Sequence, residues 1–80
     1  MKTYPATPEK VRYPIKVLSE KLTERGFTFD PRFLCYALGK GIIDPGWLLE
    51  RTNSDEVFEL AETIRDDVQR LYRHHASEAE

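Results

Sequence analysis

The chain carries few side chains able to do chemistry, and their spacing limits what they can do. Cys35 is the only cysteine. Flanked by Leu34 and Tyr36, it falls in the apolar row of a predicted helix, where a free thiol behaves as a small hydrophobe. His74 and His75 are sequence neighbours, which on a helix turns them about 100° apart. One metal ion needs imidazoles on a shared face, as an i, i+4 pair supplies, so this pair predicts no metal site. Asp66 and Asp67 are also neighbours, on the polar face of a predicted helix. Acid–base work by two carboxylates needs burial that drives their pKa values apart, and a solvated face does not provide it. Gly39-Lys40-Gly41 resembles part of a phosphate-binding loop, but no strand leads into it and it reads better as a helix stop. The sequence has no CxxC, HExxH or GxSxG pattern and no complete phosphate loop. The expectation is a protein without catalytic residues, metal, cofactor or small-molecule substrate.

The elements around these residues are strongly punctuated. Phe29-Asp30-Pro31-Arg32-Phe33-Leu34 and Ile43-Asp44-Pro45-Gly46-Trp47-Leu48 are near copies, and each is a complete helix-start signal. Asp accepts from free amides at the N-cap, and Pro at the first helical position has no amide to leave unpaired. An apolar residue before the cap and a Leu at the fourth helical position supply a hydrophobic staple. These signals predict short helices from Pro31 to about Leu38 or Gly39 and from Pro45 to about Arg51. Phe27-Thr28-Phe29 is read as a connector with its aromatics turned onto the core. Val11, Ile15, Leu18 and Leu22 follow helical spacing. Pro14 lies within that stripe, so the secure first helix is placed from about Pro14 to Arg25 with Gly26 as its left-handed cap. Whether Pro14 kinks a longer helix or starts a shorter one is left open by the sequence.

The last helix is predicted from about Ser54 to His75, with Asn53 and Glu56 as a capping box. Acidic residues crowd its first turn, while Arg70, Arg73, His74 and His75 crowd its expected last turn, matching the helix dipole. Val57, Ala61, Ile64, Val68 and Leu71 repeat with heptad spacing, widened by Phe58, Leu60 and Tyr72. The fold expected is all-α: a bundle of about four helices, three short and one long at the C-terminus, with a Pro-rich N-terminal arm. Residues 1–13 are expected to form the extended or partly ordered arm, 14–76 a single helical domain and 77–80 a disordered tail.

Eighty residues supply one core, and a chain this short has only a few kcal/mol of stability. With a single cysteine, no disulfide can form within the chain, which suits a reduced intracellular setting. No signal-like apolar run and no stretch of membrane-spanning length is present, so a cytoplasmic location is expected. The formal net charge of -2 conceals a division: residues 1–40 carry eight Lys/Arg against four Asp/Glu, and residues 41–80 carry four against ten. Such a split suits solvated helix faces, an acidic partner for the basic half, or two copies pairing head to tail.

Two binding functions compete. Several short helices with tight turns suit a helix-turn-helix protein. Ala37-Leu38-Gly39 followed by Asp44-Pro45-Gly46-Trp47-Leu48-Leu49-Glu50 locally resembles the closing helices of phage-repressor-type DNA-binding domains. The likeness covers a small part of the chain and structural positions only; that family's polar recognition helix has no counterpart upstream. Under this alternative Arg32, Tyr36 and Lys40 would contact bases, and Lys10, Arg12 and Lys16 would reach phosphates. Protein recognition is favoured, because aromatic residues make up 11% of the chain and Trp, Tyr and Arg anchor interfaces. Tyr4, Tyr13, Tyr36 and Trp47 are candidate anchors, and Ile64, Val68, Leu71 and Tyr72 are candidates for pairing with a second copy or another protein's helix. Phe27, Phe29, Phe33, Trp47 and Phe58 are also expected in the core, where Trp47→Ala would cost about 3–5 kcal/mol. The expected function is a small non-enzymatic regulator or adaptor that binds another protein, with dimerisation open to it.

Overall fold

The two Asp-Pro signals start helices as their chemistry dictates. In a computed structural model, which describes residues 7–79 and side chains as far as Tyr72, Asp30 accepts from the Arg32 amide at 3.3 Å and Asp44 from the Gly46 amide at 2.8 Å. The described residues form four helices and no strand: α1 (Glu9–Glu24), α2 (Pro31–Lys40), α3 (Pro45–Thr52) and α4 (Asp55–Ala79). The fold is all-α, as the periodicity predicts. Residues 1–6, and with them Tyr4 and the first part of the expected arm, lie outside the described residues.

Helix α1 begins at Glu9, earlier than expected, and runs unbroken through Pro14. Proline in a helix interior costs about 3 kcal/mol, through a lost amide and a clash with the carbonyl four residues back. Against that, Val11, the stripe residue ahead of Pro14, is 0% exposed, a burial that contributes roughly 1.5–3 kcal/mol and is reached only if the helix runs through the proline. Residues 9–13 are therefore helix, not arm.

The ends of the helices also differ from expectation. Helix α2 continues through Gly39 to Lys40, and Gly41 is the stop, at φ +79°. The Gly41 and Ile42 amides donate back to the Leu38 and Ala37 carbonyls at 3.3 and 2.8 Å, a Schellman closure that only a left-handed residue permits. Gly26 closes α1 the same way, with the Phe27 amide on the Leu22 carbonyl at 2.9 Å. Asn53 is not an N-cap. It adopts φ 52° and ends α3 by donating to the Leu49 carbonyl at 2.7 Å. Ser54 caps α4 instead, its hydroxyl accepting from the Val57 amide at 3.2 Å. The backbone of α4 then extends to Ala79, because nothing after Leu71 stops it: Ala, Ser and Glu follow, without Gly or Pro. Residues 77–79 are thus helical rather than a disordered tail, and Arg70, Arg73, His74 and His75 fall short of the final turn. The side chains of Arg73, His74 and His75 lie outside those described.

Helix α4 packs on each of the other three, and α1 packs also on α2. Val57, Ala61, Ile64 and Val68 on α4 are 0% exposed and form one cluster with the α1 stripe, with Leu34, Cys35, Ala37 and Leu38 of α2, and with Ile43 and Leu48. Phe27, Phe29 and Phe33 pack around this core half-buried, as the connector reading requires. Gly39 lets α2 lie close on α4: an added Cβ there would stand 2.5 Å from Val68 Cγ1.

Candidate functional site

Chemistry-bearing groups are dispersed or engaged. Cys35 is buried, and burial pushes its thiol pKa up, which keeps it protonated and unreactive. Asp66 pairs with Arg65 at 3.2 Å and Asp67 with Arg70 at 3.9 Å, so the neighbouring carboxylates serve separate partners. Lys40 places its ammonium 5.5 Å from the centre of the Tyr72 ring instead of facing an anion site. Among the described residues no three His, Cys, Asp or Glu side chains cluster as metal ligands, and no helix is long and apolar enough to cross a membrane.

The candidate interface residues divide by burial. Ile64 and Val68 are 0% exposed, so they are core side chains and unavailable to a partner; heptad spacing marked the α4 seam but not what covers it. Leu71, Tyr72 and Tyr36 are half-buried. Tyr72 packs against the core, and burial raises its phenol pKa, with Cys35 and Tyr36 adding to the rise. Tyr13 is 75% exposed on α1. Trp47, read both as a candidate anchor and as a core ring, is 39% exposed and so is not a core side chain. At the third position of α3 it lies one residue before the inward-facing Leu48, and the Arg51 guanidinium covers its ring at 4.9 Å.

Ile42 escaped the sequence reading and is 61% exposed. It follows the left-handed Gly41, where a Schellman closure usually folds an apolar residue back onto the helix. The residue it would cover is Ala37, which offers only a methyl group. The pair Ile42-Ile43 carried the available signal: Ile43 precedes the Asp44 cap and is buried, so its neighbour in an extended turn faces away. Ile42, Ile43, Asp44 and Trp47 line a shallow depression of about 250 Å³.

A second concavity, about 440 Å³, lies between the N-terminal half of α1 and the start of α2, lined by Thr7, Glu9, Arg12, Tyr13, Ile15, Lys16 and Pro31. The cations of the molecule separate around it. Lys21 bonds Glu56 at 2.7 Å, Arg25 lies by Glu24, Arg65 by Glu62 and Asp66, and Arg70 by Asp67. Lys40 and Arg51 sit over aromatic rings. Among the described residues, the cationic side chains left without an ionic, hydrogen-bonded or ring partner are those of Lys10, Arg12, Lys16 and Arg32, all exposed on α1 or the first turn of α2. These are four of the six nucleic-acid candidates; the others, Tyr36 and Lys40, are half-buried and ring-stacked respectively. No family model, curated protein or solved structure matches this chain.

Proposed function

We propose that this chain is a non-enzymatic regulator or adaptor that acts in the cytoplasm by binding another protein. The observation that supports it is the exposure of Tyr13, Ile42 and Trp47 around a core that closes without them. Large side chains with an apolar body left in solvent are the residue types that become buried anchors in an interface. Trp47 adds to this because Arg51 holds its ring in place, lowering the ordering cost on association.

The DNA-binding alternative has weaker support. Helices α2 and α3 are joined through Gly41-Ile42-Ile43-Asp44, as a helix-turn-helix would be. The front of α3, however, offers Gly46, Trp47, Glu50 and Arg51. Glu50 repels phosphates and Arg51 is already stacked on Trp47, which leaves little to read a base edge.

Both readings meet in one experiment. The intact chain and the variants Tyr13→Ser, Ile42→Ser and Trp47→Ser are compared for stability, capture of host proteins after nuclease treatment, and retention on mixed duplex DNA at low salt. The reading expects all three variants to stay folded and at least one to lose a captured protein. Capture unchanged in every folded variant, or steeply salt-dependent DNA retention by the wild type, refutes it.

A further inference from the structure

We propose that the concavity between α1 and α2 is a docking groove for an acidic peptide segment of a partner protein, one carrying a bulky apolar side chain between carboxylates. This deepens the protein-binding reading, on which it rests, by assigning a site and a partner chemistry. The apolar lining is Pro31 and the exposed ring of Tyr13 with the almost fully buried Ile15, and the charged lining is Arg12 and Lys16 together with Glu9. Arg32 follows Pro31 directly, and Lys10 is three residues before Tyr13, on an adjoining face of α1.

Charge complementarity carries the argument. Elsewhere among the described residues the cations are held by a carboxylate or a ring, and of the four that are not, Arg12 and Lys16 line this groove. Exposed cations gain little from one another and much from an incoming carboxylate whose apolar neighbour excludes water beside them. The groove is at the small end of ligand-pocket volumes and open to solvent, a shape that suits one anchoring side chain of an extended or helical segment.

Two other occupants fit less well. Nucleic acid presents charge continuously, one per about 1.7 Å of duplex axis, and would meet Glu9 in the groove wall and Asp30 beside Pro31. A peptide can place its few carboxylates to avoid both. A second copy of this chain would have to offer acidic α4, where Glu56, Glu62, Asp66 and Asp67 already sit in ion pairs. Among the described side chains of α4 only Asp55 and Glu59 are left to pair, and the apolar stripe that would seat the Tyr13 ring is buried.

The test uses the full chain with short fluorescent peptides holding a central Phe, Leu or Trp flanked by Asp and Glu, and a matched set flanked by Lys and Arg. A mixed-sequence DNA oligonucleotide is the third probe, and binding is read by anisotropy at low and physiological salt. The expected result is binding of acidic peptides only, weakening as salt rises. Arg12→Glu/Lys16→Glu should lower the affinity about tenfold or more, and Tyr13→Ala about tenfold. All three side chains are exposed, so the variants keep the wild-type melting temperature. Trp47→Ser should leave peptide affinity unchanged. No acidic peptide binding, preference for DNA, or concentration-dependent self-association lost in Arg12→Glu/Lys16→Glu would each overturn the proposal. Acidic peptide binding that is lost in Trp47→Ser and kept in Arg12→Glu/Lys16→Glu would overturn this site while leaving the protein-binding function standing.

Discussion

Gly39→Ala separates two physical accounts of one residue by the sign of its effect. Gly39 is inside α2, with Gly41 as the stop, so helix propensity alone makes alanine stabilising by about 0.8–1 kcal/mol. Packing says the opposite. The new Cβ would lie 2.5 Å from Val68 Cγ1 and 2.8 Å from Tyr72 Cε2, against a relaxed carbon–carbon separation of about 3.5–4 Å. Neither neighbour yields easily. Val68 is 0% exposed and β-branched on a helix, which leaves it one good rotamer. The Tyr72 ring is packed against the core with Lys40 over it. Helix α2 must then move about 1 Å off α4, at an overpacking cost in the upper part of the usual 1–3 kcal/mol. The net expectation is a loss of about 1–2 kcal/mol, or a fall in melting temperature of roughly 5–15 °C for a domain of this size. Urea denaturation followed by circular dichroism reads it as a lower midpoint at unchanged slope. Adding Val68→Ala should recover about 1 kcal/mol relative to the sum of the single losses, because the methyl in the way has gone. A midpoint at or above wild type for Gly39→Ala, or strict additivity in the double variant, refutes the close approach.

Three further outcomes are expected. Ser54→Ala should cost about 1 kcal/mol through loss of its bond to the Val57 amide, while Asn53→Gly stays within a few tenths of wild type because glycine suits the left-handed turn; the reverse order in urea midpoints would restore Asn53 as the cap. Lys21 holds the Glu56 carboxyl below the usual carboxylate range, chiefly through their hydrogen bond. A carboxylate with a lowered folded-state pKa stabilises above its unfolded pKa and loses that effect as pH falls through the folded value. Wild type should therefore exceed Glu56→Gln in thermal stability at neutral pH and converge with it in acid, and a pH-independent gap counts against the pair. Cys35, buried with a raised pKa, should react with a thiol reagent at pH 8 only at the rate of opening events, so stoichiometric labelling within the mixing time under native conditions is incompatible with its placement.

How much of this was legible in the sequence depended on whether the signal was local. The Asp-Pro starts were, because cap, proline and staple lie within six residues of each other, and both helices begin where the spacing put them. Pro14 left the start of α1 open, because its cost is local while the compensating burial of Val11 in the core is tertiary. Asn53 and Ser54 were confused because the run supports either cap, and the choice falls to the left-handed end of α3. Trp47 suited either the core or an interface by residue type; its exposure follows from the register of an eight-residue helix, in which Pro45 and Leu48 face inward. The unengaged cations could not be found from sequence at all. Lys21 and Lys16 look alike on α1, and only the approach of Glu56, thirty-five residues away, distinguishes them.

The same distinction between spacing and partner decides what α4 can do. A heptad stripe states that one face of a helix will be covered, without saying by what. Here α1, α2 and α3 cover it, and Val57, Ala61, Ile64 and Val68 have no exposed surface left. Pairing α4 with another copy through Ile64 and Val68 would first expose them and the side chains they bury, at about 1.5–3 kcal/mol for each large residue. A domain of this length has only a few kcal/mol in hand, so that route amounts to unfolding. On the proposed protein-binding reading, recognition would fall to side chains the core never needed: Tyr13 beside Arg12 and Lys16, and Ile42 with Trp47 beyond the turn that closes α2. Changes there can alter binding while leaving the fold as it is, whereas any change on the α4 stripe must act on both.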